Sequence, residues 1–505
     1  MGSPRCTLIV AILGSSLAFL DGSVVNVALP VMQSELGIGA GLAAWVIEAY
    51  ALLLSSLVLV GGALGDHYGR KRIFVTGVVV FALSSLICGA AGNAHLLVAA
   101  RAVQGTGAAL LVPGSLSLIT AAYPEAARGR AIGLWSTFSA VTTAAGPVAG
   151  GYVVAHASWR WIFLFNVPLA AAIVLLARRG VAETRDEEAP RRMDWIGAAL
   201  AAMGLGAIIY ALLDDAASAG PLRCAILPLG AAVLLGFVVY EWRAPAPMVP
   251  LGLFRSRVFS ATNVLTLLLY GALGGGLYFL PFNLIQVQGY APTEAGAALL
   301  PFVVAISALS PPMGALAGRI GSRPLLVVGP LLAAAGFALM ALPGRGGSYW
   351  TAYFPGIATA GVGMGVTVAP LTTAVMGSVE SHRAGVASGI NNAVARAASL
   401  LAIAGLAVVL RARFDDVLDH RLADLHLAAP VAARVAAERS KLAAADLGGL
   451  DSSTLAALRD AIDSAYVAGF RALAIACAIL AATSALLGLA VGPSRAARQA
   501  REAGS

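Results

Sequence analysis

Long apolar stretches follow one another along most of the chain, separated by short charged or Gly- and Pro-rich segments. The first stretch extends over residues 7–33, and Asp21 is its only charged residue. An apolar stretch of about 18–25 residues is long enough to cross the hydrocarbon core of a bilayer as one α-helix. The pattern therefore predicts an all-α integral membrane protein.

Fourteen such stretches are predicted to be transmembrane helices. They cover residues 7–33, 41–64, 73–92, 95–122, 130–155, 161–177, 194–213, 222–242, 258–284, 293–317, 323–343, 349–377, 384–410 and 465–491. Most Lys and Arg residues lie in the N-terminus, the even-numbered loops and the C-terminal tail, whereas the short odd-numbered loops carry Arg160, Arg223 and Arg345. Basic residues favour the cytoplasmic side. We therefore expect a multi-pass protein of the cell (cytoplasmic) membrane, with both termini in the cytoplasm.

The composition agrees with this expectation. Of the 505 residues, 59% are hydrophobic and 11% are charged, and the mean hydropathy is +0.85. A soluble protein carries about 25% charged residues, so this chain has too few to cover a surface in water. The net charge of +8 lies in loops and tails that flank a lipid bilayer, and it does not indicate a nucleic-acid partner. The four Cys and six His residues form no metal-ligand pattern, so we expect no metal and no cofactor.

Two short sequences in the first half of the chain recur in similar form in the second half. The sequence GALGDHYGRK (62–71) recurs in weakened form as GALAGRIGSR (314–323), and RGRAIG (128–133) has a looser counterpart in RAGVASG (383–389). These repeats predict two pseudo-symmetric six-helix bundles, formed by helices 1–6 and 9–14, with helices 7 and 8 inserted between them. Repeated bundles with a site near the membrane midplane are typical of secondary transporters.

The repeats divide the chain into four parts. They are an N-terminal bundle (1–178), a cytoplasmic linker with the two inserted helices (179–257), a C-terminal bundle (258–492) and a cytoplasmic tail (493–505). The C-terminal bundle includes a long external loop, 411–464, of mixed charge and helical apolar spacing. We expect this loop to form one or two helices that cover the outer surface, and a docking role is the alternative.

Five motifs occur in order along the chain. They are LDGSVVNVALP (20–30), GALGDHYGRK (62–71), LVAARAVQGTGAA (97–109), GLWSTFSAVTTAAGPVAGG (133–151) and WRWIFLFNVP (159–168). With these motifs the chain resembles the major facilitator superfamily and, within it, the fourteen-helix drug:proton antiporter family. The chain departs from the helix 5 motif at Thr142, where glycine is usual.

The resemblance implies a role for the motif that follows helix 2. Asp66, Gly69 and Arg70 are expected to form a latch, which holds the two bundles together on the cytoplasmic side when the cavity faces outward. A Gly-containing turn allows close backbone approach, and Asp66 can accept hydrogen bonds from Arg70 or from a helix N-terminus. The C-terminal copy has Gly318 at the position of Asp66, so only the first copy keeps the carboxylate.

Predicted helix 5 carries the antiporter motif of the family. Its residues Gly146, Pro147, Gly150 and Gly151 combine a helix-kinking proline with glycines that let another helix pack closely. The resemblance implies that this helix lines the bundle interface and limits leakage of protons or substrate. A packing helix with small residues and no such role is the alternative.

Four charged residues within the predicted helices are candidates for a functional role. The acids are Asp21 in helix 1 and Glu48 in helix 2, and the cations are Arg101 in helix 4 and Arg396 in helix 13. A carboxylate at mid-membrane costs about 2.5–3.5 kcal/mol to insert, so such residues are functional candidates. Burial raises a carboxyl pKa and a nearby arginine lowers it. We expect Asp21, Glu48 and Arg101 to couple proton movement, with a structural ion pair as the alternative, and Arg396 either binds a partner or snorkels to the membrane surface.

A proton-driven exporter of amphipathic organic compounds, with a role in multidrug efflux and antibiotic resistance, is the predicted function. Its partners are a small amphipathic substrate and protons, and we expect a monomer. The candidate cavity residues are Gln104, Trp135, Phe138, Tyr270, Tyr278 and Phe282. Because the membrane-embedded parts of helices 9–13 contain no acidic residue, monovalent cations or neutral compounds are the expected substrates.

Two other functions are alternatives to this one. Within the transporter class, the chain would be a dedicated exporter of one endogenous metabolite or lipid. From another class, it would be a non-transporting membrane receptor or lipid-binding scaffold. An enzyme is not expected, because no nucleophile–base set, P-loop or metal cluster is visible in the sequence.

Overall fold

The computed structural model describes residues 3–36, 40–185, 194–213, 221–245, 247–380, 383–425, 427, 429–444 and 451–491. Over these residues the chain is helical, without β-strands. The α-helices are α1 (Pro4–Leu36), α2 (Ala40–Tyr68), α3 (Arg70–Ala90), α4 (Ala94–Ala122), α5 (Glu125–His156), α6 (Arg160–Leu164), α7 (Asn166–Gly180), α8 (Trp195–Leu213), α9 (Pro221–Arg243), α10 (Arg257–Phe282), α11 (Pro292–Ala297), α12 (Leu300–Ile320), α13 (Arg323–Met340), α14 (Tyr349–Ala352), α15 (Phe354–Gly377), α16 (Ala384–Asp424), α17 (Ala429–Glu438) and α18 (Ser452–Gly488). Two 3₁₀ segments (Leu251–Arg255 and Arg439–Ala444) and one π segment (Asn283–Val287) complete the set.

Each apolar stretch predicted from the sequence falls on one or two of these helices. Twelve segments of the described chain are long and apolar enough to cross a membrane. At the fifth and seventh predicted spans lie two further long helices, α5 with 32 residues and α8 with 19. The basic residues Arg191 and Arg192 and the predicted tail 493–505 lie outside the described residues.

The external loop predicted over 411–464 is largely a continuation of two membrane helices. α16 continues to Asp424 and α18 begins at Ser452, so both extend well beyond the predicted spans. Their extensions bury apolar side chains, including Phe414 and Leu418 of α16 and Leu458 of α18. The apolar spacing that indicated helices in this loop therefore belongs to these extensions and to α17, whose Val435 is buried in the same apolar core.

The helices pack in two groups that meet along two lines of contact. The N-terminal group comprises α1–α7, and the C-terminal group comprises α10, α12, α13, α15, α16 and α18. Between the groups, α2 packs against α16 and α5 packs against α12. The two inserted helices of the prediction are α8 and α9, which contact each other. α8 also contacts α2 and α16, so it lies against the junction of the two groups.

Two glycines at equivalent positions of the internal repeat have the same unusual backbone conformation. Gly69, between α2 and α3, has φ of 110°, and Gly321, between α12 and α13, has φ of 85°. L-residues with side chains rarely adopt such values, whereas glycine adopts them at no steric cost. The repeat seen in the sequence is thus matched by the same turn in both groups of helices.

Candidate functional site

Asp21 and Arg101 form an ion pair that is closed off from the surface. Arg101 Nη1 donates to Asp21 Oδ2, and both side chains are fully buried. Arg101 Nε donates to the carbonyl oxygen of Val46 at 2.9 Å. The guanidinium also lies 4.4 Å from the ring centroid of Tyr50 and 5.7 Å from that of Phe163. A buried pair of this kind is held by its hydrogen bonds, and removal of one partner leaves an uncompensated charge.

Three amide and hydroxyl side chains complete the network around Asp21. Gln104 Nε2 donates to Asp21 Oδ1 at 2.9 Å and to Ser85 Oγ at 2.7 Å, and its Oε1 accepts from Arg101 Nη1 at 2.6 Å. Asn166 Nδ2 donates to the same Asp21 oxygen at 3.3 Å. Gln104 was predicted to line the substrate cavity, but its amide is used entirely in this network. Asn166 and Ser85 were not singled out from the sequence, although Asn166 belongs to the WRWIFLFNVP motif.

Small residues on α4 let the neighbouring helices seal this network. A Cβ on Gly105 would lie 2.4 Å from the carbonyl oxygen of Tyr50, and one on Gly107 would lie 2.7 Å from the backbone nitrogen of Phe81. α2 and α3 therefore approach α4 at backbone distance. Glu48 lies on α2, two residues after Val46, and its side chain is half-buried. The described hydrogen bonds to Asp21 come from Arg101, Gln104 and Asn166.

Asp66 joins the two groups of helices at the end where α2 meets α3. Its Oδ1 accepts from Arg70 Nε at 2.9 Å, and its Oδ2 accepts from the backbone N–H of Val386 at 2.8 Å. Val386 lies in the first turn of α16, where N–H groups lack intrahelical partners and a carboxylate is favoured. Gly69 is constrained twice, by its positive φ and because a Cβ there would lie 2.8 Å from Glu183 Oε1.

Glu183 is a further residue of this turn that was not predicted from the sequence. Its two carboxylate oxygens accept from the backbone N–H groups of Lys71 at 3.0 Å and Arg72 at 3.1 Å. These N–H groups lie in the first turn of α3, where they have no helical acceptor. A lone glutamate in a charged loop gives no sequence signal for this role.

Glycines from the repeated motifs meet in pairs across the two lines of contact. A Cβ on Gly62 of α2 would lie 2.2 Å from the carbonyl oxygen of Gly385 of α16. A Cβ on Gly129 of α5 would likewise lie 2.2 Å from the carbonyl oxygen of Gly314 of α12. Gly62 and Gly314 are equivalent in one repeated motif, and Gly129 and Gly385 are equivalent in the other. The two groups of helices therefore touch at backbone distance through repeat-related positions.

The antiporter motif packs α5 against α1. A Cβ on Gly146 would lie 1.9 Å from Ser23 Oγ, and one on Gly150 would lie 2.4 Å from Val24 Cγ2. Gly151 is half-buried, and Pro147 lies within α5. This contact lies within the N-terminal group of helices, whereas the contact of α5 with the C-terminal group is made nearer its start, at Gly129 and Gly133.

The unusual threonine of this motif is accommodated by hydrogen bonds. Thr142 Oγ1 lies 3.1 Å from Ser16 Oγ and 2.5 Å from the carbonyl oxygen of Phe138. The hydroxyl of a serine on α1 thus faces the added side chain, so the departure from glycine does not separate α5 from α1.

A cavity of about 770 Å³ lies between the two groups of helices. Of the predicted cavity residues, Trp135, Tyr270 and Tyr278 line it. Phe138 and Phe282 are not among its lining residues, and both side chains are exposed. These two residues were predicted from motif position and aromatic character, which do not fix the direction of a helix face.

Asp21 does not line the cavity, because it is closed in with Arg101. Arg396 does line it, half-buried on α16, together with Asn392 and Ser399. Of the two interpretations of Arg396, the structure therefore favours a partner in the cavity over snorkelling to the membrane surface. In the described part of the chain, no three His, Cys, Asp or Glu residues are grouped to hold a metal ion.

Comparisons with known proteins agree with this architecture. The family model of the Major Facilitator Superfamily matches residues 11–403. The chain is 34% identical over 420 residues to the multidrug resistance protein Stp of Mycobacterium tuberculosis (strain CDC 1551 / Oshkosh), covering 82% of this chain and 78% of that protein. It is 32% identical over 430 residues to the tetracenomycin C resistance and export protein of Streptomyces glaucescens, covering 84% and 79%. Its fold is similar to that of the proton:xylose symporter XylE, with a TM-score of 0.61, 12% identity and coverage of 96% and 94%.

Proposed function

Because this chain belongs to the major facilitator superfamily, we propose that it is an antiporter that exports amphipathic organic compounds from the cell in exchange for protons. The chain is a multi-pass membrane transporter, and its relatives include proteins named for multidrug resistance and for antibiotic resistance and export. The observation that carries the proposal is the pairing of an interface cavity with a buried carboxylate beside it. The cavity accepts the compound, and Asp21 accepts the proton.

The proposed topology has fourteen transmembrane helices. To the twelve apolar segments it adds α5 and α8, which lie where the sequence predicts spans five and seven. The distribution of Lys and Arg supports cytoplasmic termini. Asp66 then lies on the cytoplasmic side. In this proposal α1–α7 form the N-terminal bundle, and α10–α16 with α18 form the C-terminal bundle.

The latch in this proposal consists of Asp66, Gly69 and Arg70. The bond from Val386 to Asp66 and the contacts of Gly62 with Gly385 support a conformation closed on the cytoplasmic side. Opening that side requires the loss of both. The latch therefore sets the balance between inward-facing and outward-facing states, although none of its three residues lines the cavity itself.

Proton coupling is assigned to Asp21 with Arg101, and Glu48 is kept as a second candidate. A proton on Asp21 removes the charge that Arg101 pairs with, so protonation favours a rearrangement of this network. This part of α2 connects the network to the cavity, since the Tyr50 ring lies 4.4 Å from the Arg101 guanidinium and the next residue, Ala51, lines the cavity. In this proposal a rearrangement at Asp21 reaches the cavity wall through this part of α2.

A substrate panel in everted membrane vesicles tests this proposal. The vesicles contain the full chain, and a pH gradient, acid inside, is imposed. We expect accumulation of at least one amphipathic compound that stops when the gradient is collapsed. Accumulation that is unaffected by collapse of the gradient, or bound compound with no transport, contradicts the antiporter and favours a uniporter or a receptor.

A further inference from the structure

The cavity between the two groups of helices carries a single charge among its described lining residues, that of Arg396. The remaining described lining residues are apolar, aromatic, small or uncharged and polar. Arg396 follows the first residue of α16, Ala384, by twelve positions, which at about 1.5 Å per residue is roughly 18 Å. With the start of α16 at the cytoplasmic membrane boundary, as in the proposed topology, this depth is near the middle of a hydrocarbon core about 30 Å thick.

Arg396 differs from the other intramembrane arginine in its surroundings. Arg101 is paired with Asp21 and bonded to Gln104. Within the described residues, no carboxylate lies within 4.0 Å of the Arg396 guanidinium, and no acceptor is hydrogen-bonded to it. A guanidinium in a low-dielectric site is stabilised by an anion. The fold therefore leaves one cation, at mid-membrane depth, directed at the space that a substrate enters.

Polar groups flank Arg396 on the same face of α16. Asn392 lies one turn before it and Ser399 one turn after it, and both line the cavity. Other parts of the wall are aromatic, formed by Trp135 and Tyr278 among others. The site thus combines apolar walls with one guanidinium between an amide and a hydroxyl. A flat apolar molecule with one anionic oxygen group matches this arrangement.

We propose that the cavity binds amphipathic organic anions and that Arg396 binds their carboxylate or phenolate group. The planar guanidinium presents paired N–H donors that match two carboxylate oxygens, and charge-assisted bonds of this type are strong. This inference rests on the proposed export function and specifies its substrate class. It replaces the expectation of monovalent cations, because no Asp or Glu is among the described residues that line the cavity, and Asp21 is closed in with Arg101.

Three fluorescent probes that share one ring system test the proposal. They are 1-pyrenebutyrate, which is an anion, its neutral primary amide, and 1-pyrenebutylamine, which is a cation. Binding is measured with the full chain in lipid nanodiscs. We expect the wild type to bind the anion about tenfold more tightly than the amide, the range of one charge-assisted hydrogen bond. We expect the amine to bind more weakly than the amide.

Substitutions of Arg396 assign this preference to one side chain. In Arg396→Gln the affinity for pyrenebutyrate falls about tenfold, to that of the amide, while the affinity for the amide stays within about twofold. Arg396→Lys keeps part of the preference, and Arg396→Glu shifts it to the amine. The control is Arg413→Gln, which removes an exposed arginine from the same helix and leaves all three affinities unchanged.

Two results overturn the proposal. The first is that the wild type binds the amine as tightly as the anion. The second is that Arg396→Gln lowers the affinity for all three probes equally. Transport of the same probes in proteoliposomes separates this inference from the export function. Anion-selective binding without proton-driven transport contradicts export alone, whereas proton-driven transport that prefers the amine contradicts the anion site alone.

Discussion

The carboxylate of Asp66 accepts a hydrogen bond from the backbone N–H of Val386, 320 positions further along the chain. Its other oxygen accepts from Arg70, so one side chain joins the α2–α3 turn to the first turn of α16. α16 also carries Arg396 in the cavity wall. The proposed latch and the proposed substrate contact therefore lie on one continuous helix, and a movement of α16 that breaks the first also displaces the second.

Two substitutions of Asp66 separate its ion pair with Arg70 from its hydrogen bond with the Val386 N–H. Asp66→Asn keeps a neutral acceptor for the Val386 N–H but loses the ion pair with Arg70, whereas Asp66→Ala loses both. We expect a shift toward the inward-facing state of about 1–3 kcal/mol in Asp66→Ala and a smaller shift in Asp66→Asn. The labelling of single introduced cysteines from each side of the membrane measures the shift. Unchanged labelling in Asp66→Ala, together with normal turnover, contradicts the latch.

Gly62 and Gly65 lie one turn apart on α2, and we expect only the substitution of Gly62 by alanine to disturb the contact with α16. In Gly62→Ala the new Cβ would lie 2.2 Å from the carbonyl oxygen of Gly385, so α2 and α16 must separate. Overpacking of this kind costs about 1–3 kcal/mol. The matched control is Gly65→Ala, whose Cβ meets nothing within 4 Å. We expect cysteine labelling to show the inward-facing state enriched in Gly62→Ala alone, and equal behaviour of the two variants would argue against backbone contact here.

Much of the fold follows from the sequence, because apolar stretches in a bilayer can form little but helices. The ion pair of Asp21 and Arg101 was also predicted as an alternative, since a buried arginine requires an anion. Arg70 and a helix N-terminus were predicted as partners of Asp66, but the helix was not identified, because Val386 of α16 contributes only a backbone N–H, which no residue type signals. The sequence does not show that Arg396 lines the cavity and Phe138 does not. This depends on how each helix is rotated about its axis, which is decided by packing between distant segments.

Asp21→Asn tests the proton site. We expect loss of gradient-driven export in vesicles, with retention of probe binding, because asparagine keeps the shape of the side chain but cannot take up a proton. Leaving Arg101 without its anion costs about 3–5 kcal/mol, so this variant is also less stable. The double variant Asp21→Asn with Arg101→Gln removes both charges and should recover stability without export.

The control for Asp21→Asn is Asp416→Asn, an exposed position on α16, which we expect to export normally. Full gradient-driven export by the double variant would remove Asp21 from the coupling mechanism and leave Glu48 as the candidate. Normal stability of Asp21→Asn alone would show that the buried ion pair contributes little to the fold.

Glu35 lies near the end of α1, and we expect its ion pair with Arg160 to make a pH-dependent contribution to stability. Its carboxylate accepts from Arg160 Nη1 and, at 2.7 Å, from Trp159 Nε1. The hydrogen bond from Arg160, then that from Trp159, lowers the pKa of Glu35. A lowered acid pKa means that the stabilisation is complete above the unfolded value of about 4.3 and is lost as the pH falls through the folded value.

The difference in apparent unfolding temperature between the wild type and Glu35→Gln measures this contribution. We expect the wild type to unfold at the higher temperature at pH 6–7 and the difference to shrink once the pH falls below the unfolded value and through the lower folded value. A difference that is constant over this range would assign the effect of the substitution to packing and not to charge.

The exchange of an organic compound for protons is the central claim, and proton movement in proteoliposomes that contain only the purified full chain tests it most directly. A pH-sensitive dye is trapped inside, no gradient is imposed at the start, and 1-pyrenebutyrate is added on one side. The account predicts proton movement in the direction opposite to the probe, present in the wild type and absent in Asp21→Asn. Probe transport by the wild type without any proton movement would contradict it.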